Sequence, residues 1–139
     1  MNIAKLITRN VVCINMDDPL NKAKRLFEER GFHHLLVLEK GRFVGVISDR
    51  DLLKAVSPRV DTLAATSHDL ASLNKRAHQI MTRDPISLNE HSTVKTAVDI
   101  FNAHKISVIP IIDENYKPVG ILSWRDIMKA LGRHLAQEG

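Results

Sequence analysis

The chain of 139 residues, 44% of them apolar, is long enough to bury a sizeable core, which excludes a disordered or fibrous protein. No apolar run reaches the roughly 20 residues of a membrane span, and the start of the chain lacks a signal peptide's long apolar region. The net charge of +4 suits anionic ligands, but the chain has no Lys/Arg run and only six aromatic residues, which disfavours nucleic acid as a partner. A single cysteine, Cys13, cannot form an internal disulfide, so a cytoplasmic location is expected.

The first predicted elements are a short buried strand and a helix. Residues 11–14 form an apolar run, and Asp17-Asp18-Pro19 after it is typical of a helix N-cap with proline at the first helical position. Apolar residues then recur at helical spacing, and Gly31 is expected to end the helix. They are Leu20, Ala23, Leu26 and Phe27.

Two strands and a second helix complete this first unit. The apolar runs at 35–38 and 44–47 are joined through Lys40-Gly41-Arg42, which predicts a hairpin. A helix is then predicted from Asp49 to near Pro58. The order of elements is therefore βαββα.

The second half of the chain repeats this order. The sequence predicts a strand over 86–88, a helix capped by Ser92, strands over 108–112 and 119–122 around a turn at 113–115, and a helix from Trp124. The predicted domains are thus repeat 1 over residues 1–56 and repeat 2 over residues 80–139.

An unusually long insert, residues 57–79, lies between the repeats. Ser67 can cap a helix whose apolar stripe includes Leu70, Leu73 and Ala77, with the neighbouring Lys75 facing water. We predict a packed helix that bridges the two repeats, in preference to a mobile linker.

The similarity between the copies is concentrated in one segment. Residues 44–56 match 119–131 at seven of thirteen positions, whereas residues 6–38 match 80–112 at only five of thirty-three. The shared segment contains Gly-x-x-Ser-x-x-Asp, at Gly45 to Asp51 and at Gly120 to Asp126, where a predicted strand gives way to a helix. A candidate binding site is therefore expected at these two places.

The chemistry of Ser-x-x-Asp allows two interpretations. A helix N-terminus presents unpaired N–H groups that suit a phosphate, a hydroxyl adds a donor, and a carboxylate one turn on can accept hydrogen bonds from a ribose. The pattern also matches a capping box, in which both side chains only satisfy the helix start. Arg50 and Arg125 lie in the first helical turn, where a cation is unfavourable unless an anion compensates it. A ligand phosphate or an acidic partner would do so, and a solvated arginine is the alternative.

These features resemble a known family, the tandem cystathionine-β-synthase-type (CBS) domain pair, or Bateman module. The resemblance rests on Met81-Thr82-Arg83-Asp84-Pro85, on the segment from Ile106 to Asp113, and on Gly-x-x-Ser-x-x-Asp in both copies. It implies an α/β (α+β) fold of two pseudo-symmetric repeats packed through their sheets. It also implies a regulatory module that binds AMP, ADP, ATP or S-adenosylmethionine in two clefts between the repeats. We expect no covalent cofactor and no metal site formed by the protein.

The resemblance also implies which residues contact the ligand. Ser48 and Asp51 would hold phosphate and ribose in one cleft, and Ser123 and Asp126 in the other. His34 is implied as a phosphate partner in the Asp126 cleft, gaining charge as pH falls toward about 6.5. Because adjacent strand residues point to opposite faces, at most one of His33 and His34 faces the cleft, and packing or solvation is the alternative for the other. The remaining implied contacts are Thr82, Pro85, Ile86 and Ser107 for the Asp51 cleft, and Thr8, Val11, Val12 and His33 for the Asp126 cleft.

Enzyme chemistry finds little support in the sequence. The seven histidines show no His-x-x-x-His spacing, and neither a Gly-x-Ser-x-Gly segment nor a Walker-type phosphate loop occurs. We therefore expect a regulatory module without catalysis, acting on an unknown effector protein. A homodimer is expected from the resemblance and from Trp124, for which a plain surface residue is the alternative interpretation. The alternatives are a ligand-free dimerisation or scaffold module and, more weakly, a nucleic-acid-binding protein.

Overall fold

The computed structural model describes residues Met1 to Glu138 and divides into two compact units. The central unit comprises Val12–Asp84, and the terminal unit comprises Met1–Val11 together with the chain from Pro85 onward. The units differ from the sequence repeats because the opening segment of each repeat belongs to the other unit. No helix in the described range, 1–138, is long and apolar enough to cross a membrane.

The central unit is a four-stranded sheet in the order β1-β2-β3-β4 with helices packed on it. Its elements are β1 Cys13–Asn15, α1 Leu20–Arg30, β2 His34–Glu39, β3 Arg42–Ser48, α2 Asp49–Ala55, α3 Ser67–Ala71, a 3-10 turn Ser72–Asn74, α4 Ala77–Ile80 and β4 Thr82–Arg83. β1 runs parallel to β2, and the other two pairings are antiparallel. The core contains the fully buried Leu20, Leu35 and Ile47.

The terminal unit has the same order of helices and hairpin strands as the central unit, but its outer strands are reduced to isolated bridges. Its elements are α5 Val94–Ala103, β5 Val108–Ile112, β6 Pro118–Ser123 and α6 Trp124–Glu138. β5 and β6 form an antiparallel hairpin, and isolated bridges extend it on both sides, from Leu88 to Ile111 and from Thr8 to Ile121. Its core includes Ile3, Ile109 and Leu122, all fully buried.

The local turn signals in the sequence are confirmed. Gly31 ends α1 in the left-handed conformation, at φ 67°, and its N–H donates to the Phe27 carbonyl at 3.1 Å. The hairpin between β2 and β3 turns through Lys40 and Gly41, both at positive φ. Glycine tolerates this conformation because it has no Cβ.

Three predicted helix starts are wrong by one residue. α1 begins at Leu20 with Pro19 as its N-cap, while Asp18 accepts hydrogen bonds from the Asn15 N–H and from Lys22. α5 is capped by Thr93 and not by Ser92. α3 is capped by Thr66 and not by Ser67.

The bridging insert is helical but is not one helix. Arg76 forms an isolated bridge with Pro19, and the Lys75 carbonyl accepts the Leu20 N–H at 2.8 Å. These contacts hold Lys75 and Arg76 in extended conformations between the 3-10 turn and α4. Leu70, predicted on the apolar stripe, is exposed, and Asp69 is the buried residue of α3.

Candidate functional site

In the central unit the Ser-x-x-Asp segment forms the junction of β3 and α2. Ser48 is the last residue of β3 and the N-cap of α2. Its Oγ accepts the Asp51 N–H at 3.1 Å, and the Ser48 N–H donates to Asp51 Oδ2 at 2.9 Å. We call this pair of residues the central corner.

The terminal unit repeats this geometry at the junction of β6 and α6. Ser123 Oγ accepts the Asp126 N–H at 3.1 Å, and the Ser123 N–H donates to Asp126 Oδ2 at 2.8 Å. We call this pair the terminal corner. The two corners agree within 0.1 Å, since the equivalent distances are 2.9 and 3.1 Å in the central corner.

Both segments therefore form the capping box that was one of the two interpretations. Each box uses one oxygen of its aspartate, Oδ2. Throughout the described chain, Oδ1 of Asp51 and of Asp126 accepts no hydrogen bond from the protein. A carboxylate oxygen has lone pairs for such bonds, so the cap leaves each aspartate able to accept from a ligand hydroxyl.

A threonine of the other repeat's opening segment pairs beside each corner. Thr82 pairs with Val46 of β3, two residues before Ser48. Thr8 exchanges two backbone hydrogen bonds with Ile121, two residues before Ser123, at 2.9 and 3.0 Å. Thr82 thus lies near the central corner and Thr8 near the terminal corner, and their contact with a ligand stays a prediction.

The glycine of each repeated segment permits this close approach. A Cβ on Gly45 would lie 2.7 Å from both the Met81 sulfur and the Thr82 carbonyl oxygen. A Cβ on Gly120 would overlap the Thr8 carbonyl oxygen and the Ile7 side chain. Sequence reasoning gave these glycines no role of their own, although their identical position in both copies was a signal of close backbone contact.

The histidines distinguish the central corner from the terminal one. His33 Nδ1 lies 2.9 Å from Asp49 Oδ2, and the His33 carbonyl accepts the Asp49 N–H. His34 stands opposite Ser48 in the β2–β3 register, and burial lowers its pKa. His34 therefore becomes charged at a lower pH than its ordinary value implies. The resemblance implied that His33 and His34 contact a ligand in the Asp126 cleft, whereas both lie beside the central corner in the structure. Asp49, which pairs with His33, was not singled out from the sequence.

The corresponding positions of the terminal corner carry no ionisable group. Val108 stands opposite Ser123 in the β5–β6 register, where the central unit has His34. The Ser107 carbonyl accepts the Trp124 N–H at 3.3 Å. The terminal corner thus has a tryptophan and a valine in place of the aspartate and histidine.

The other predicted contact residues divide between the units. Arg50 and Arg125 are exposed in the first turn of their helices, and within the described chain neither has an anionic partner. Val12 is half-buried in the central unit, where its carbonyl accepts the Leu36 N–H. Val11, Pro85, Ile86 and Ser107 belong to the terminal unit.

Comparison with known proteins identifies the class. The family model described as CBS domain matches residues 3–58 and 77–133, one match for each repeat. The chain belongs to the CBS domain family, as the resemblance implied, and its fold is that of a CBS domain pair.

One relative is similar in both sequence and structure over most of this chain. The uncharacterized protein MJ1225 of Methanocaldococcus jannaschii is 31% identical over 124 residues, which are 88% of this chain and 44% of the relative. Its crystal structure matches with a TM-score of 0.79, covering 94% of this chain and 47% of the other. The chain thus spans less than half the length of this relative.

Two further solved structures share the fold and hold ligands. The CBS domain pair of MJ0100, in complex with 5′-methylthioadenosine and S-adenosyl-L-methionine, matches with a TM-score of 0.77 at 22% identity over 96% of this chain and 98% of the other. CBSX2 in complex with AMP matches with the same TM-score and identity, over 95% of this chain and 97% of the other.

Proposed function

We propose that the chain is a regulatory, non-catalytic module that binds an adenosyl compound, namely AMP, ADP, ATP or S-adenosylmethionine, at the central and terminal corners. The observation that carries the proposal is the free Oδ1 of both Asp51 and Asp126, each beside a serine hydroxyl at a helix start. The ligands held by the related CBS pairs MJ0100 and CBSX2 support the chemical class.

The residues have separate roles in this proposal. Each aspartate accepts a hydrogen bond from the ribose, each serine donates its hydroxyl to phosphate, and Arg50 and Arg125 supply the positive charge that attracts it. Thr8 and Thr82 line the corners at the paired strands. The other contacts implied by the family remain predictions: Val11, Val12, His33, His34, Pro85, Ile86 and Ser107.

Substitution of the aspartates tests the proposal by calorimetry. Hydrogen bonds to a charged group contribute about 1.5–3 kcal/mol, so Asp126→Ala should weaken binding at the terminal corner at least about tenfold. Asp51→Ala should do the same at the central corner and leave the terminal one intact. Loss of the cap should lower the unfolding free energy by only about 1 kcal/mol.

The insert provides a control for losing a cap away from the corners, although Asp69 also accepts the Ser57 hydroxyl at 2.7 Å, so that its removal should cost more stability than removal of either corner aspartate. Thr66 and Asp69 form a third capping box with the same pair of backbone bonds, outside the repeated segments. Asp69→Ala should lower stability without changing affinity for any of the four compounds. If affinity is equally insensitive in Asp51→Ala and Asp126→Ala, both corners are caps only, and the ligand-free scaffold is the better function.

We also propose that the module is a homodimer in a reducing, cytoplasmic setting. An exposed apolar row on α6, which includes Trp124 and Met128, supports association. Cys13 is unpaired and half-buried, and burial raises its thiol pKa, which suits a reduced residue. Sedimentation velocity that finds only monomer at micromolar concentrations and above would contradict the dimer.

A further inference from the structure

The terminal unit has a large cleft at the tip of the β5–β6 hairpin. A cavity of about 580 Å³ lies between residues 87–92, which lead toward α5, and the turn that joins β5 to β6. Ligand pockets in proteins usually measure about 300–1,000 Å³, so this one can hold a small organic molecule or the end of a long side chain. We call it the hairpin cleft.

The hairpin cleft is separate from the terminal corner. Ser123 of that corner stands opposite Val108, at the start of β5, whereas the cleft is lined by Ile112, at the other end of the same strand. Four residues of extended chain correspond to about 13 Å. The cleft also shares no residue with the contacts expected for the adenosyl ligand.

The cleft forms because the opening segment of repeat 2 leaves the hairpin one step earlier than that of repeat 1. In the central unit the Met16 N–H donates to the Leu38 carbonyl at 2.8 Å, and the Met16 side chain packs against the core. Glu90 and Ile112 occupy these positions in repeat 2, but within residues 1–138 the Glu90 N–H makes no such bond. The space beside Met16 in one unit is therefore open in the other.

One wall of the cleft is apolar. Leu88 and Val119 are half-buried and pack against the core of the terminal unit, and Ile112 is buried behind them. Tyr116, at the hairpin tip, is 47% exposed and lines the same cleft. These surfaces suit an aliphatic stem or a ring of a ligand.

The polar part of the lining is acidic. Glu90, Asp113 and Glu114 line the cleft, and no lysine or arginine does so among the described residues. Glu90 is neutralised by Arg9, whose Nη2 lies 3.0 Å from Glu90 Oε2. Asp113 and Glu114 have no ion pair in the part of the chain that the structure describes, and Asp113 Oδ1 is held in place by two backbone N–H groups of the turn.

Two exposed carboxylates alone would indicate only a solvated turn. Here they adjoin a cavity of ligand size with an apolar wall, and the lining has no cation of its own to compensate them. The combination matches a molecule with a positive charge at one end and an apolar surface at the other.

We propose that the hairpin cleft binds an organic cation, an ammonium or guanidinium group on an apolar stem. The stem would lie against Leu88 and Val119, and the cationic head would pair with Asp113 and Glu114. The same carboxylates repel an anionic ligand such as a nucleotide. The cleft is thus a second kind of site, and the inference does not depend on the function proposed for the corners.

An NMR titration with three simple probes tests the proposal. n-Butylguanidinium carries the cation on an aliphatic stem, n-butylurea has the same shape without the charge, and N-acetyl-argininamide presents the cation as a protein side chain does. In isotope-labelled full-length protein, n-butylguanidinium should shift the amide signals of residues 87–92 and 113–117 saturably, and n-butylurea should not. Comparison with N-acetyl-argininamide distinguishes a free small molecule from an arginine of a partner protein.

The probes also define what would overturn the proposal. Absence of saturable shifts with both cations would refute the site. Equal binding of n-butylurea would refute the role assigned to charge. Shifts confined to the segments Ser48–Asp51 and Ser123–Asp126 would place the cation at the corners and leave the hairpin cleft without a ligand.

Substitution of the carboxylates measures their contribution. Glu114→Gln keeps the size of the side chain without its charge, so it should weaken n-butylguanidinium binding by about tenfold. Asp113→Asn retains an oxygen for the turn and should act similarly. Glu39→Gln is the matched control, since Glu39 occupies the position of Asp113 in the β2–β3 hairpin, and it should leave the affinity unchanged. An equal loss in all three variants would mean that binding follows net charge, which would contradict the cleft.

The repeat supplies a variant that closes the cleft. Glu90→Met introduces the residue of the central unit, whereas Glu90→Gln makes the same change of charge without an apolar side chain. Glu90→Met should therefore weaken n-butylguanidinium binding more than Glu90→Gln does, with urea unfolding to verify that both remain folded. Equal affinities would contradict the cavity as the binding site.

Titration of AMP separates this site from the corners. Glu114→Gln should leave any shifts that AMP causes at Ser48–Asp51 and Ser123–Asp126 as they are in the wild type. If AMP shifts the signals of residues 113–117 and the cations do not, the cleft accepts anions and the proposal is wrong. Failure of AMP to bind anywhere would refute the function proposed for the corners and leave the cation result standing.

Discussion

The two corners have the same cap but different surroundings. Both boxes agree within 0.1 Å, yet His34 stands opposite Ser48 where Val108 stands opposite Ser123. Asp49 begins α2, which has 7 residues, whereas Trp124 begins α6, which has 15. The repeat has thus kept the backbone geometry of the site, while charge and apolar surface differ between the copies. Stability should respond alike to the loss of either cap and differently wherever the side chains that surround the shared segment differ.

The largest expected effect comes from the glycines at the crossing of the opening segments. Gly120→Ala should lower the unfolding free energy by about 3 kcal/mol, because overpacking costs about 1–3 kcal/mol and the added methyl group meets the Thr8 carbonyl and Ile7. Gly45→Ala should cost less, since one of its two close contacts, the Met81 side chain, is flexible. Urea denaturation of both variants measures the difference.

Gly132→Ala is the matched control for this pair. No atom lies within 4 Å of a Cβ at this position, which is inside α6. Alanine there should stabilise the protein by about 0.5–1 kcal/mol, because glycine is the poorer helix former. Equal losses for Gly120→Ala and Gly45→Ala would show that the flexible methionine does not relieve the contact.

A smaller and equal effect is expected from the two caps. Ser48→Ala and Ser123→Ala should each cost about 1 kcal/mol, the usual value of an N-cap hydroxyl. Thermal or urea unfolding checks this, with Ser67→Ala as the control. Ser67 stands next to the true cap Thr66, so its removal should change stability by less than about 0.5 kcal/mol. A clear difference between the two corners would mean that neighbouring charge alters the strength of the cap.

Much of the fold could be predicted because its signals are local. Gly31 as a helix end, the Lys40-Gly41 turn and the βαββα order of the first repeat all follow from residues close together in the chain. The strand predicted over 86–88 is wrong, since that stretch forms only a single bridge at Leu88. Where two hydroxyl residues adjoin, as at Ser92-Thr93 and Thr66-Ser67, both can cap, and the tertiary contacts of the flanking loop decide between them. These helix starts could therefore be predicted only to within one residue.

The pairing of Thr8 with Ile121 could not be read from the sequence by any local rule. It joins residues 113 positions apart, and short polar segments such as 8–10 carry no periodicity that would mark them as strands. The same holds for the His33–Asp49 pair, which depends on the β2–β3 register. The repetition of Ser-x-x-Asp revealed where the candidate site lies, but the repetition alone did not distinguish cap from ligand contact.

The smallest expected effect concerns His34, the ionisable group that the terminal corner lacks. Burial is the largest cause of its lowered pKa, opposed by the nearby Asp49 and Asp51 and reinforced by His33. In the unfolded chain the imidazole of His34 has the ordinary histidine pKa of about 6.5. The folded protein therefore protonates His34 at a lower pH than the unfolded chain does. The associated stability is complete above the unfolded pKa and declines as pH falls through it toward the lower folded pKa.

His34→Val, which copies the terminal corner, should therefore lose stability less steeply than the wild type when pH falls from 7.5 to 5.5. His34→Gln removes the same titrating group but packs differently, so both variants should flatten the pH dependence by a similar amount even if their stabilities at pH 7.5 differ. Urea unfolding at several pH values measures this, and the six remaining histidines cancel in the comparison with wild type. A pH dependence unchanged in both variants would mean that His34 takes up its proton as readily in the folded protein as in the unfolded chain. In that case the difference in charge between the two corners would rest on Asp49, whose place Trp124 takes at the terminal corner.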